Sequence, residues 1–381
     1  MRFLTFLITF LCCHISTTAS IKIGVFDGEK ISQAKVEIDQ GSYELVIDNG
    51  APYSLSSSEK LTVTIEGTST VVRGSSFPVQ RGAKILLRAV AFNSEFSLTP
   101  TIPSKTGRRY HDNLIVKIRS GKLQLINETN LDKYVSGVVE AETGAQHNKE
   151  FYKVQAIISR TYALSNKHKH ASEGFHLCDK VHCQVFKGKA RYNDDILFAA
   201  YETEDKVLVD DNIELITAAF HSNCGGQTIS SGKVWTQNLS YLQSVPDTFC
   251  LTMSQSHWEK RIPKTDWLNY LKKNGIDEVA DSSGRSIAYT PGAKEEHFLG
   301  NEKLRMVDIR KDLKLRSAWF TVYEEGNEMV IQGRGFGHGV GLCQEGAINR
   351  ARHDHTYEEI LYHYYKGVHL VDLDQLEFFR E

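Results

Sequence analysis

Over residues 21–104 apolar and polar positions alternate in short runs, as in Ile21-Lys22-Ile23-Gly24-Val25, Tyr43-Glu44-Leu45-Val46-Ile47, Leu61-Thr62-Val63-Thr64-Ile65 and Ile85-Leu86-Leu87. A period of two sends alternate side chains to one face of a strand, and Asp48-Asn49-Gly50 and Arg81-Gly82 supply turns, so a β-rich region is predicted. Leu114-Ile115-Val116-Lys117-Ile118 and Leu123-Gln124-Leu125-Ile126 then read as a hairpin about Ser120-Gly121. Pro100 and Pro103 suit a linker before it.

After the hairpin the period changes. Leu131, Tyr134, Val135 and Val138 recur at helical spacing, and so do Phe151, Val154, Ile158 and Tyr162. Two amphipathic helices are therefore predicted, joined at Gly144, the second capped by Asn148 and running from about 149 to 166. Glu142 falls at the corner between them. Further on, the pattern gives a helix over 196–203, a strand over 206–209 turning at Asp210-Asp211-Asn212 into 215–220, and a strand over 313–320. Two helices close the chain, from Ala347 and over 357–367. Residues 264–303 carry a helix over 267–273 and a Ser/Gly-rich stretch, and read as an insertion. The fold class is α+β, a β-rich leading region followed by a mixed helix/strand domain over 105–375.

Residues 1–20 carry Arg2, an apolar run and then small residues, the layout of a secretory signal too short to span a membrane, so export is expected. With 45 basic and 47 acidic residues the formal charge is -2, so no bulk attraction to nucleic acid follows. Beyond the signal no stretch reaches the roughly 18 apolar residues of a membrane helix.

Four groups of residues carry candidate chemistry. Glu140 and Glu142 are either solvated charges or a carboxylate held at a helix corner. Cys178 and Cys183, with His176 and His182 alongside, fit a zinc site, a disulfide or two buried thiols, and the spacing leaves all three open. Without Cys12 and Cys13 five cysteines remain, an odd number, so at least one is free or metal-bound. Cys183 beside His182 and Cys343 near His338 also raise a nucleophilic cysteine. Neighbours on an extended strand point to opposite faces, which argues against the first pair, and no orienting Asn or Asp can be assigned to the second. Finally, 332–347 reads QGRGFGHGVGLCQEGA, with glycine at every second place from Gly333 to Gly341. Neither a dinucleotide fingerprint nor a Walker loop fits it, and a backbone packed closely on another layer does, with His338 and Gln344 projecting.

Leu131, Tyr134, Gly137, Val138, Val139, Glu142, Ala156, Arg160, Thr161 and Tyr162 together resemble the core of the SpoIID/LytB family. The resemblance extends over roughly 105–370 through His221-Ser222-Asn223-Cys224-Gly225-Gly226-Gln227-Thr228 and the glycine-rich run, and because the hairpin begins the catalytic domain in that family it implies a domain boundary near 105. It implies a secreted peptidoglycan lytic transglycosylase that cleaves the MurNAc-β-1,4-GlcNAc bond of glycan strands, denuded ones above all. Glu142 would be its single acid and base, with Arg160 steadying charge. The resemblance further implies substrate contacts at His338, Gln344, Tyr162 and Ser222, and structural zinc on Cys178, His182 and Cys183; Cys224, where the family usually has Ser or a small residue, is a candidate fourth ligand from this sequence alone. Rival readings are a two-carboxylate hydrolase in which Glu140 or Asp210 assists, and a non-catalytic wall-binding protein or activator of a cell-wall amidase.

Overall fold

The computed structural model describes residues 20–276, 289–300 and 303–380. The signal-like stretch up to residue 19 and part of the 264–303 insertion lie outside the described residues.

Backbone pairing fixes where the chain divides. The predicted hairpin forms from Asn113–Arg119 and Lys122–Asn130, and its two-residue turn holds Ser120 and Gly121 at φ of 50° and 72°, the positive values a hairpin turn of this length requires. Lys122–Asn130 pairs with Ser20–Val25, and Asn113–Arg119 pairs with Lys84–Ala89, so the hairpin lies inside a sheet that continues through Tyr43–Ile47 to Tyr53–Leu55. A second sheet orders Arg108–His111, Glu95–Ile102, Gln33–Gln40, Lys60–Glu66, Ser69–Arg73 and Gln80–Gly82. Tyr43 of the first sheet meets Phe96 of the second edge to face, and Phe96 stacks on Tyr110, all three buried. The compact units accordingly divide at Tyr134/Val135, not near 105, because the hairpin's hydrogen bonds belong to the leading sheet.

The last strand runs straight into helix α1, Leu131–Thr143. Asn130 Oδ1 accepts the N–H groups of Asp132 and Lys133 at 2.8 and 3.1 Å and caps the first turn.

In the second unit, α2 (Lys149–Ser165) starts at Asn148, whose side chain accepts the Phe151 N–H at 3.1 Å. This helix is buried on nearly every side, from Phe151 and Tyr152 through Ile157 and Ile158 to Thr161 and Ala163. Polar groups on such a helix need internal partners. Thr161 Oγ1 accepts the Leu208 N–H at 3.0 Å, and the fully buried Arg160 donates to the carbonyls of Ala200 and Lys206 at 2.9 and 3.1 Å. Arg160 thereby ties α2 to the end of α3 (Asp194–Glu202) and to the strand Lys206–Asp210. Arg160, expected from the resemblance to steady a carboxylate or a developing charge, is fully buried, and its guanidinium bonds join these elements.

Within the insertion region, helix α4 (Lys264–Lys273) and helix α5 (Met306–Asp312) cover a sheet in which Glu328–Arg334 lies between His257–Pro263 and Phe320–Glu325. Trp258, Trp267, Phe298, Phe320 and Ile331 build its separate core. The strand expected over 313–320 starts only at Phe320, since Lys314 at φ 50° breaks an extended run. Helices α6 (Gln344–Ala351), α7 (Tyr357–Tyr364) and α8 (Leu373–Arg380) close the chain. Among the described residues no helix is long and apolar enough to cross a membrane.

Arg160→Leu keeps bulk but removes the charged donor to the Ala200 and Lys206 carbonyls, each such bond worth about 1.5–3 kcal/mol. Urea unfolding should show a loss of roughly 2–5 kcal/mol. A loss under roughly 1 kcal/mol would refute the anchoring role.

Candidate functional site

Glu142 is the penultimate residue of α1, just before Gly144 turns the chain at φ 76°. Its Oε1 accepts the Val185 N–H at 2.9 Å. Burial raises the Glu142 pKa, against the lowering effects of that hydrogen bond and of the Lys187 charge. The Val185 segment can lie this close because Gly137 has no side chain: a Cβ there would stand 2.2 Å from the Gly188 carbonyl oxygen and 2.6 Å from the Phe186 ring. Glu140 faces elsewhere, accepting the N–H groups of Arg191 and Tyr192, both at 2.8 Å. Asp210 is likewise occupied, its Oδ1 closing a turn on the N–H groups of Asn212 and Glu214.

Downstream of α2 four side chains converge: His170, Cys178, His182 and Cys183 place one donor atom each within 4.8 Å of all the others. Both cysteines are free thiols. The separations are 3.8 Å from Cys178 Sγ to His182 Nδ1, 3.7 Å from Cys183 Sγ to His182 Nδ1 and 3.5 Å from Cys183 Sγ to His170 Nε2. A tetrahedron with zinc bonds of about 2.3 Å to sulfur and about 2.0 Å to nitrogen has S–N edges of about 3.5 Å, so the residues fit that ion. On the far side of its ring, His170 Nδ1 meets Glu173 Oε1 at 2.7 Å, the carboxylate partner that metal-bound imidazoles commonly have. His170 was missed in the sequence because it sits in an undistinguished His-rich run and reaches the cysteines only through the intervening turn. Tyr162 lies beside this group: its hydroxyl accepts from Lys169 Nζ at 3.4 Å, and Lys169 also bonds the His182 carbonyl.

The glycine-rich run packs as its spacing predicts. A Cβ on Gly335 would meet Asn223 O at 2.5 Å, and one on Gly341 would meet Ala219 O at 2.2 Å. Phe336 and Asn223 exchange both backbone hydrogen bonds, and Phe220–His221 pairs in parallel with Leu342–Cys343. His338 accepts the Val340 N–H on Nδ1 at 3.1 Å and bonds the Phe220 carbonyl, so its backbone contacts fix the tautomer protonated at Nε2. Burial pushes its pKa down to about 4, and the neutral ring stands 5.5 Å from His221 and 5.6 Å from Trp235. His221, missed in the sequence reading, is fully buried with Nδ1 on the Val340 carbonyl.

Gln344 opens α6 with Nε2 at 3.5 Å from Gln155 Oε1 of α2. Ser222 is half-buried, its carbonyl accepting the Glu345 N–H at 3.0 Å. Cys224 does not join the His170 group as a fourth ligand; it lies with Cys250 and Cys343. Cys343 is fully buried with its sulfur accepting the N–H groups of Cys224 and Gly346, an arrangement that leaves a substrate no approach to the thiol.

The family model for the stage II sporulation protein (SpoIID) matches residues 119–209. An uncharacterized protein of Brachyspira hyodysenteriae is 30% identical over 275 residues, 71% of this chain and 74% of the relative. Stage II sporulation protein D of Bacillus subtilis is 31% identical over 274 residues, 66% of this chain and 77% of the relative. The amidase enhancer of Bacillus subtilis is 27% identical over 289 residues, 62% of this chain and 40% of the relative.

The Glu142 environment makes a prediction that needs no substrate. A folded-state pKa above the unfolded one means that Glu142 stabilises the fold below its unfolded pKa and that this contribution is lost as pH rises through the folded value. Glu142→Gln does not titrate, so its melting temperature should gain on the wild type between about pH 4 and neutrality. A gain in the opposite direction would contradict the burial argument.

Proposed function

We propose that this chain, which belongs to the SpoIID/LytB family, is an exported lytic transglycosylase cleaving the MurNAc-β-1,4-GlcNAc bond of peptidoglycan glycan strands. A cell-wall-related role comes with the family. The finer assignment rests on one observation, a partly buried carboxyl group at the α1–α2 joint whose pKa burial raises.

Glycosidic cleavage needs a proton at the leaving oxygen. Protonated Glu142 gives that proton to the GlcNAc oxygen as the C1–O bond breaks. The C6 hydroxyl of MurNAc then closes on C1, and the Glu142 carboxylate takes up the hydroxyl proton. The product carries a 1,6-anhydro ring, no water is consumed and the acid is regenerated. One carboxyl group is enough for this cycle, which agrees with Glu140 and Asp210 being engaged by backbone elsewhere. His338, Gln344, Tyr162 and Ser222 are proposed substrate contacts; His338 would act there as a neutral hydrogen-bonding or stacking surface.

His170, Cys178, His182 and Cys183 would hold one structural zinc ion. When bound it supplies a cross-link and no chemistry, because four protein ligands close the tetrahedron. A second reading, a non-catalytic activator of a cell-wall amidase, is favoured by the likeness to the amidase enhancer.

Glu142→Gln should lower cleavage of purified denuded strands about a hundred- to ten-thousandfold, while Glu140→Gln keeps most of the activity. Mass spectrometry of the wild-type digest should find products one water lighter than reducing-end sugars. Intact strands after incubation with pure wild type would move the assignment to the activator.

Elemental analysis of protein purified without added metal should find zinc, and Cys183→Ser should remove about one ion per chain. A Cys178–Cys183 disulfide in the unreduced peptide map would overturn the metal assignment.

A further inference from the structure

A second group of donors lies apart from the first. Cys224, Asp247, Cys250 and Cys343 each place one atom within 4.8 Å of the others, and all four are buried. They come from three separate stretches: the loop after Phe220–His221, the turn around Thr248–Cys250 and the residue capping α6. We infer that these three thiols and one carboxylate form a second, closed metal site that takes a single zinc-like divalent ion.

Geometry carries the inference. Cys224 Sγ stands 3.5 Å from Asp247 Oδ2, and a zinc tetrahedron has an S–O edge of about 3.5 Å. Cys224 Sγ and Cys250 Sγ are 3.3 Å apart, well beyond a disulfide bond of about 2.05 Å and within about half an ångström of a zinc S–S edge of about 3.8 Å. All five cysteines of the described residues are free. Donor atoms this close enclose one ion and leave no room for a multi-iron cluster.

The surroundings suit charged ligands. Cys343 Sγ accepts the N–H groups of Cys224 at 3.2 Å and Gly346 at 3.3 Å, and the N–H groups of Gly225 and Gly226 are directed at Cys250. Asp247 is oriented from behind by the Tyr364 hydroxyl at 2.7 Å and by Arg350 at 3.3 Å, as carboxylate ligands of metals usually are. Gly346 leaves the necessary space, since a Cβ there would stand 2.0 Å from Asp247 Oδ2. Three thiolates, a carboxylate and a divalent ion leave two negative charges. Arg350 and Lys294, whose ammonium feels all three sulfurs, offset them. Soft thiolates with one hard oxygen select zinc over magnesium or calcium.

With no open position, the ion would pin the Ser222–Gly226 loop and the start of α6 to the Asp247 turn, and it would keep three neighbouring thiols from oxidising in an exported protein.

The test uses the full chain purified without added metal. Native mass spectrometry should count two zinc ions in the wild type and one in Cys250→Ser, with His182→Ala losing the other independently. Should Cys250→Ser fail to fold, cobalt-substituted wild type decides. Its thiolate-to-cobalt absorption should have the strength of five sulfur ligands, the two of the His170 group and the three proposed here. Absorption of two-sulfur strength would overturn the inference, as would a Cys250→Ser protein with wild-type zinc or a Cys224–Cys250 disulfide in the peptide map. Loss of glycan cleavage alone leaves these readouts unchanged, so this test stands apart from that of the transglycosylase.

Discussion

A helix buried on nearly every side must find partners for each polar group it carries, and α2 imposes that demand on everything packed around it. Asn148 meets it twice, capping the helix with its oxygen and donating its amide to the Ala351 carbonyl at 2.7 Å. Gln184 donates to the Ser159 carbonyl, Thr161 receives the Leu208 amide, and Arg160 closes the carbonyls of Ala200 and Lys206. The α1 joint, the segment that touches Glu142, the following strand and the start of α6 are thus all positioned against one buried rod.

Local periodicity made that rod legible before any coordinates. The spacing of Phe151, Val154 and Ile158 and the Asn148 cap located α2 to within a residue, and the Ser120-Gly121 turn located the hairpin. The alternating glycines announced a close backbone approach, although not which strand they approach. What stayed hidden depended on contacts between distant segments. The resemblance put a division near 105, whereas strand pairing holds the hairpin in the leading sheet and the compact units divide at Tyr134/Val135. Nor could the motif show that the Arg160 guanidinium bonds the carbonyls of Ala200 and Lys206, on two other elements.

Cysteine placement shows the same boundary. An odd number signalled that a thiol stays unpaired, and Cys178 with Cys183 signalled a local group. That the other three gather with Asp247 could not be read, because Cys224 and Cys343 become neighbours only when the glycine-rich run lies down on the Asn223 strand. One close approach therefore does two things: it shapes the surroundings of His338 and it assembles a thiol cluster beneath.

A single residue, Gln184, separates Cys183 from Val185, the residue whose amide holds Glu142. So short a tether has almost no slack, and Gln184 within it is fastened to α2 by the Ser159 carbonyl. A shift of the Cys183 sulfur has only this short stretch of backbone to cross before it meets the Glu142 carboxyl. The corner glutamate and the sulfur group thus share one short stretch of backbone.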